Sequence, residues 1–200
     1  KLTDHGFGLI AFDFRGTGES SGSFYEMTIS SQAEDLKQVL SFADYTYKVP
    51  MIVLGRSLGG STVLATVSND DRPVATVLWS TPLAVKEVFA KMLGDATQQL
   101  AAGQMVTIKD DYSSYELGAG FWQDLVRHDF KQYVLTAAKQ PLLVIHGEAD
   151  EVVDTANAQE IKLLAPTAQL ITVAGADHKF INGWELREEF TVAWLNHLFS

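Results

Sequence analysis

Five short apolar segments alternate with segments of helical spacing, and this alternation constrains the fold more than any other feature of the chain. A helix between two strands returns the chain to the starting edge of a sheet, so the strands run parallel. The segments that predict strands are residues 8–14, 51–55, 75–80, 141–147 and 168–173. The sequence therefore predicts an α/β fold, with a mostly parallel sheet and helices on both faces.

The alternation lapses between residues 83 and 139, in a segment rich in Tyr, Phe, Trp and Met. We predict that residues 1–82 and 140–200 form the core domain and that residues 83–139 are an inserted lid. Within the lid, residues 84–102 have helical spacing that Gly94 weakens. Residues 105–117 fit a hairpin that turns at Asp110-Asp111, and residues 120–135 are helical again.

Composition excludes several classes of function. A formal net charge of −10 argues against a nucleic-acid partner, because phosphates favour a basic surface. No apolar run approaches the ~20 residues that span a bilayer, and no side-chain cluster suggests a metal. The chain has no cysteine, which excludes disulfides and thiol catalysis and favours a cytoplasmic location. We expect neither a metal nor a cofactor.

The stretch Gly55-Arg56-Ser57-Leu58-Gly59 lies between a predicted strand and a predicted helix. This pattern in this context is typical of a nucleophile elbow, although a flexible glycine-rich turn is an alternative. A serine on so sharp a turn is strained, and glycines two residues away on either side relieve crowding. The helix that begins there directs N–H groups at developing negative charge. We therefore predict Ser57 as the nucleophile and the backbone N–H of Leu58 as an oxyanion donor.

A serine nucleophile needs a base and a carboxylate that orients the base. In open parallel sheets, functional groups gather at the carboxyl ends of the strands. Asp150 lies three residues beyond the end of the fourth predicted strand, and Glu148 is its main rival. Asp154 is better placed to cap the next helix. His178 follows the last predicted strand, so we predict Asp150 as the acid and His178 as the base.

Other candidate residues fit this chemistry less well. His146 lies within a predicted strand, where we expect a structural hydrogen bond. Gly16 and Gly18 in "RGTGES" suggest a phosphate-binding loop, but no Lys-Ser/Thr follows, so we expect a loop flanking the active site. The histidines that lie away from the predicted strand ends are His5, His128 and His197.

Four motifs together resemble the α/β-hydrolase superfamily: "FDFRGTGESSG", "GRSLGG", "IHGEADEVV" and "GADHKF", in this order and spacing. Within the superfamily, the chain is most similar to bacterial cinnamoyl and feruloyl esterases. The resemblance covers nearly the whole chain, although residues 83–139 align loosely. It implies an α/β-hydrolase fold with a catalytic triad of Ser57, Asp150 and His178.

The chain departs from those esterases at Arg56 and Leu58, where they often carry His and Gln, and through the predicted lid. The resemblance also implies N-terminal strands that this chain lacks. One of them belongs between the strands at 8–14 and 51–55, and its absence would leave a slot of ~10 Å that no hydrogen bond crosses. The loop after that strand supplies the second oxyanion N–H, which we expect upstream of Lys1.

Taken together, these residues predict a serine hydrolase that cleaves carboxylic esters through an acyl-enzyme. Its substrate would be a small-molecule ester of a feruloyl, cinnamoyl or other small acyl group. One alternative is a serine peptidase or aminopeptidase, in which Asp110, Asp111 or Glu116 would hold the substrate amine. Another is a non-catalytic binding module on the same fold. Whether the chain forms a homodimer is left open.

Overall fold

The computed structural model describes residues 2–109 and 114–199. Within these residues the strands are β1 (Met51–Arg56), β2 (Pro73–Trp79), β3 (Val106–Lys109), β4 (Ser114–Leu117), β5 (Leu142–Gly147) and β6 (Gln169–Val173). The main sheet has the order β1-β2-β5-β6, and each neighbouring pair in it is parallel. β3 and β4 form a separate antiparallel pair. The predicted parallel sheet is confirmed.

Helices cover both faces of this sheet. In the described ranges they are α1 (Ile29–Tyr47), α2 (Leu58–Val67), α3 (Val85–Leu93), α4 (Ala96–Ala101), α5 (Ala119–Leu125), α6 (Phe130–Ala137), α7 (Ala156–Leu164) and α8 (Trp184–Phe199). Successive residues of a strand face opposite sides, and β2 shows the result. Val77 packs in a cluster with side chains of α8, whereas Leu78 packs in a second cluster with α1, α2 and α6. The prediction of helices on both faces is confirmed.

The first predicted strand is not formed. Residues 8–14 have no strand pairing, and the side chains of Leu9 and Ile10 are 65% and 41% exposed. A strand exists through hydrogen bonds to a neighbour, and no described segment pairs with the outer edge of β1. The prediction that residues 8–14 form a strand buried on both sides is therefore wrong for this structure, and the main sheet has four strands instead of five.

The first half of the predicted lid follows the sequence pattern. The predicted helical region is interrupted at Gly94, which follows α3 and has a φ of 54°. The chain then forms a second helix, α4. β3 and β4 are the two arms of the predicted hairpin. Its predicted turn at Asp110-Asp111 lies outside the described residues.

The second half of the predicted lid packs into the main core. Asp124 on α5 accepts hydrogen bonds from the Ser30 backbone N–H (2.9 Å) and the Ser30 hydroxyl (2.6 Å), at the first turn of α1. The carboxylate thus satisfies a helix-terminal N–H that has no partner within α1. Side chains of α5 and α6 share the apolar cluster of α1 and α2, namely Phe121, Trp122, Leu125, Phe130 and Val134. The division into core and lid at residues 83–139 stays a prediction.

Candidate active site

Ser57 lies at the turn from β1 into α2. It has φ of 53° and ψ of −127°, a region that costs a residue with a side chain about 1–3 kcal/mol. Hydrogen bonds on both backbone groups of Ser57 hold this turn. The Ser57 N–H donates to the Trp79 carbonyl on β2 (2.9 Å), and the Ser57 carbonyl accepts from the Gly60 N–H (2.9 Å). The turn is therefore a strained, hydrogen-bonded elbow and not a loose glycine-rich loop.

Close packing explains two glycines of the elbow but not the third. A Cβ on Gly55 would lie 2.6 Å from the carbonyl carbon of Gly59 and 2.7 Å from the Cα of Gly60, and a Cβ on Gly60 would meet the Thr81 side chain. A Cβ on Gly59 would have nothing within 4 Å. The expectation that both Gly55 and Gly59 relieve crowding is right for Gly55. It is wrong for Gly59, because that position faces open space.

Ser57, His178 and Asp150 form one hydrogen-bonded chain. Ser57 Oγ lies 3.0 Å from His178 Nε2, and His178 Nδ1 lies 2.9 and 3.0 Å from the two carboxylate oxygens of Asp150. The three side chains follow the carboxyl ends of β1, β5 and β6, the edge where open α/β sheets gather functional groups. Since the carboxylate accepts a proton-bearing Nδ1, His178 Nε2 is left to accept the Ser57 hydroxyl proton.

The side chain of Asp150 is fully buried and surrounded by N–H donors. Its Oδ1 accepts from the backbone N–H groups of Val152 (3.0 Å) and Val153 (2.8 Å), and its Oδ2 lies 3.2 Å from His146 Nε2. Burial by itself raises the pKa of Asp150. Hydrogen bonds from His146, His178 and the Val153 N–H outweigh that effect and hold the pKa well below its usual range. Asp150 is therefore ionised at neutral pH.

The other acidic residues of this loop have different partners. Glu148, the rival acid, accepts a hydrogen bond from the Thr172 hydroxyl (2.8 Å) on β6. Asp154 accepts the backbone N–H (2.8 Å) of the first residue of α7, although the residue in the cap position is Thr155. Glu151 accepts the backbone N–H of His178 (3.2 Å) and so holds the loop that carries this histidine. Of the four acids, Asp150 is the one that contacts the imidazole of His178.

A close approach of two loops brings His178 near Asp150. β5 ends at Gly147, where a Cβ would lie 2.8 Å from the carbonyl carbon of Ala176. Two residues further on, the Ala149 N–H donates to the Ala176 carbonyl (3.0 Å). Glycine at position 147 thus lets the loop after β6 cross directly over the end of β5, two residues before His178.

Three of the remaining histidines lie away from this chain of hydrogen bonds, as predicted. His128 bonds to Asp124 (3.0 Å) and Tyr133 (3.0 Å), between α5 and α6. His5 ends a short 3₁₀ turn, and His197 lies in the last turn of α8.

His146 is the residue of this site that sequence analysis missed. It makes the structural hydrogen bond expected of it, from Nε2 to the Val153 carbonyl (2.8 Å), but the same nitrogen also faces Asp150. The signal that could have found it is spacing. A histidine at the end of a strand, four residues before the acid, points to the same loop as that acid.

Leu58 is the first residue of α2. The first N–H groups of a helix have no acceptor within the helix, and the helix dipole makes this end positive. The Leu58 N–H directly follows the Ser57 elbow, which is the position of an oxyanion donor in this type of turn. The second donor, expected upstream of Lys1, stays a prediction.

Residues 2–109 and 114–199 contain no group of three or more His, Asp or Glu side chains placed to hold a metal ion. In the same residues, no helix has both the length and the apolar character that crossing a bilayer requires.

Known proteins resemble this chain over most of its length. The uncharacterized protein YfhR of Escherichia coli O157:H7 is 22% identical over 179 residues, which cover 88% of this chain and 55% of YfhR. The chain thus spans about half the length of the YfhR proteins that it matches.

Two solved structures share the fold. Est1E from Butyrivibrio proteoclasticus, with ferulic acid bound, has a TM-score of 0.74 and 20% identity, over 92% of this chain and 74% of Est1E. A monoacylglycerol lipase from Paleococcus ferrophilus has a TM-score of 0.74 and 20% identity, over 97% of this chain and 85% of the lipase. At these identities the likeness shows the α/β-hydrolase fold.

A family model matches more than half of the chain, from its first residue. The matching residues are 1–114, which include the elbow at Ser57, and the family is described as serine aminopeptidase, S33. The chain therefore belongs to this Hydrolase_4 family and has the α/β-hydrolase fold.

Proposed function

We propose that this protein is a serine hydrolase that cleaves carboxylic esters through an acyl-enzyme intermediate. The observation that carries the proposal is the hydrogen-bonded chain from Ser57 through His178 to Asp150, built on a strained elbow. A nucleophile, a base and an orienting acid within hydrogen-bond distance are the geometry that nucleophilic catalysis requires. The family and the fold support an esterase- or lipase-type hydrolase.

In the proposed reaction, Ser57 Oγ attacks the ester carbonyl carbon while His178 Nε2 accepts the hydroxyl proton. His178 then donates this proton to the leaving alcohol as its C–O bond breaks, which leaves Ser57 acylated. Water, deprotonated by the same Nε2, then attacks the acyl carbon. His178 returns this proton to Ser57 Oγ as the bond between the acyl carbon and Oγ breaks, which releases the acid and restores the free serine. Asp150 accepts Nδ1–H throughout and stabilises the imidazolium that forms in each step.

The proposed oxyanion site begins with the Leu58 N–H. Negative charge develops on the carbonyl oxygen when Ser57 attacks, and the positive end of α2 faces that charge. One such donor contributes about 10²–10³ to kcat.

We propose feruloyl, cinnamoyl or other small acyl esters as substrates. The Phe89–Phe121 ring pair (5.0 Å) belongs to the core, because Phe121 is fully buried. The Phe24–Tyr115 pair (5.0 Å) is partly accessible, because Tyr115 is 37% exposed. The support for an aromatic acyl group comes from Est1E, which shares the fold and holds ferulic acid.

An aminopeptidase is the second candidate, and the description of the family favours it. Such an enzyme needs a carboxylate to hold the substrate amine. Glu116 on β4 is exposed and is the candidate for this role among the described residues, whereas Asp110 and Asp111 lie outside them.

Paired substrates separate the candidates. If the protein is an esterase, p-nitrophenyl esters should give a burst of p-nitrophenol equal to the enzyme concentration, followed by slower turnover. Ser57→Ala should abolish the burst, and amino-acid p-nitroanilides should be poor substrates. A preference for anilides with a free α-amine, lost in Glu116→Gln, would favour the aminopeptidase. A folded protein that cleaves neither substrate would favour the non-catalytic module.

Two further features stay predictions. The absence of cysteine from the sequence favours a cytoplasmic location. The homodimer left open by the sequence can be examined by sedimentation of the purified protein.

A further inference from the structure

His146 is a buried histidine for which the proposed reaction has no role. It lies near the carboxyl end of β5, and its side chain is fully buried. Its Nε2 lies 2.8 Å from the Val153 carbonyl oxygen and 3.2 Å from Asp150 Oδ2. Both of these partners are acceptors, so the Nε2 of His146 must carry a proton.

The other ring nitrogen defines the tautomer. Within the described residues, His146 Nδ1 is buried and has no hydrogen-bond partner. A proton on Nδ1 would be a buried donor without an acceptor, which is strongly unfavourable. His146 is therefore an Nε2–H donor with a bare Nδ1.

Asp150, Val153 and His146 form a closed ring of polar contacts, in which His146 Nε2 bonds to the Val153 carbonyl and lies 3.2 Å from Asp150 Oδ2. The Val153 N–H donates to Asp150 Oδ1 (2.8 Å), and the Val153 carbonyl accepts from His146 Nε2, which also faces Asp150 Oδ2. The two carboxylate oxygens are thus held from different sides. The third side of the carboxylate faces His178, whose Nδ1 lies 3.0 Å from Oδ1 and 2.9 Å from Oδ2.

We propose that His146 is a positioning residue, whose Nε2–H fixes the rotation of the Asp150 carboxylate so that both oxygens face His178. It acts through Asp150 and does not contact the substrate. The same contact helps to keep the pKa of Asp150 low, despite burial. This inference rests on the proposed serine hydrolysis.

Two substitutions separate a positioning role from a merely structural one. Glutamine offers an amide N–H near the place of the imidazole Nε2, whereas leucine fills a similar volume without a donor. His146→Leu should lower kcat for a p-nitrophenyl ester about 10-fold to 100-fold, because small displacements of catalytic groups have effects of this size. KM should change less than about twofold, and His146→Gln should recover most of kcat.

Val144→Ala is the matched control. Val144 lies on the same strand and is fully buried, but it belongs to the apolar cluster of α1, α2 and α6 and not to the site. This variant should lower the melting temperature while kcat stays unchanged. A folded His146→Leu variant with parental kcat, or a His146→Gln variant as slow as His146→Leu, would overturn the proposal.

A measurement on the unsubstituted protein covers the case in which His146→Leu does not fold. With ¹⁵N-labelled histidine, two-bond ¹H–¹⁵N spectra report which ring nitrogen of each histidine is protonated. We expect one buried histidine with Nε2 protonated and Nδ1 bare, missing from the spectrum of His146→Gln. The opposite tautomer would overturn the proposal. A failure of the proposed function is distinguishable from a failure of this inference, because in the first case the parent protein itself would cleave no ester.

Discussion

Asp150→Asn tests the acid of the site most sharply, because asparagine keeps the shape of the side chain but offers one acceptor oxygen. Oδ1 of Asp150 accepts the N–H groups of Val152 and Val153. The carbonyl oxygen of an asparagine is best placed there, so its NH₂ group takes the place of Oδ2. That group then faces two nitrogens, Nδ1 of His178 and Nε2 of His146.

The size of the effect follows from these contacts. An NH₂ group in the place of Oδ2 donates to His178 Nδ1 and favours the tautomer with the proton on Nε2. In that tautomer Nε2 donates to Ser57 Oγ and can no longer accept its proton. The same change of tautomer in Ser-His-Asp proteases costs about 10⁴ in kcat, and we expect a similar loss here. The other N–H of the NH₂ group faces the His146 Nε2–H, which already donates to the Val153 carbonyl. This amide N–H is then a buried donor without an acceptor, which costs about 1–3 kcal/mol of unfolding free energy.

Steady-state kinetics with a p-nitrophenyl ester and urea unfolding measure the two effects. Glu148→Gln is the matched control, because Glu148 precedes Asp150 by two residues in the same loop but bonds to Thr172. This control should keep kcat within twofold and unfolding free energy within about 0.5 kcal/mol. If Asp150→Asn kept more than a tenth of kcat, or if Glu148→Gln lost as much, Asp150 would not be the acid.

Three further predictions concern the elbow, the helix cap and acid pH. Gly55→Ala should lower the unfolding free energy by about 1–3 kcal/mol, because its Cβ would meet backbone atoms. Gly59→Ala should leave the unfolding free energy unchanged or raise it by up to about 1 kcal/mol. Equal losses for the two variants in urea unfolding would contradict this packing. Asp124→Ala should lower the unfolding free energy by about 1–3 kcal/mol, because Ser30 loses two hydrogen bonds. Its kcat should be unchanged, and a tenfold fall in kcat would show that Asp124 also serves the active site. Folding lowers the pKa of Asp150 below its unfolded value of about 3.9, so its stabilisation is complete above that pH and lost as the pH falls below it. Unfolding free energy should therefore fall more steeply below about pH 4 in the parent than in Asp150→Asn, and equal slopes would contradict this.

The positions of the three site residues could be predicted because each depends on local sequence and one topological rule. The elbow is specified by consecutive residues around Ser57, and parallel strands bring their carboxyl ends to one edge of the sheet. Asp150 and His178 each follow such an end, so their meeting required no knowledge of side-chain packing. The structure places them within 3.0 Å of one another.

Features that depend on distant partners could not be predicted in the same way. Residues 8–14 have the composition of a strand, but pairing is decided by a neighbour, and no described segment supplies one beside β1. Gly59 matches the elbow pattern, yet only the packed structure shows that its Cβ position is open. Spacing places His146 beside the loop that carries Asp150, but whether the two side chains meet depends on how the chain turns after β5.

Labelling with a fluorophosphonate, followed by peptide mapping, tests most directly whether Ser57 is the activated serine. Ser30 is an internal control, because its hydroxyl lies 3.3 Å from His128 Nε2 but donates to Asp124 (2.6 Å). Cleavage after Arg56 separates the two serines into different tryptic peptides. We predict one label per chain, on Ser57, and none in Ser57→Ala. A label on Ser30, or none on the folded protein, would contradict the proposed nucleophile.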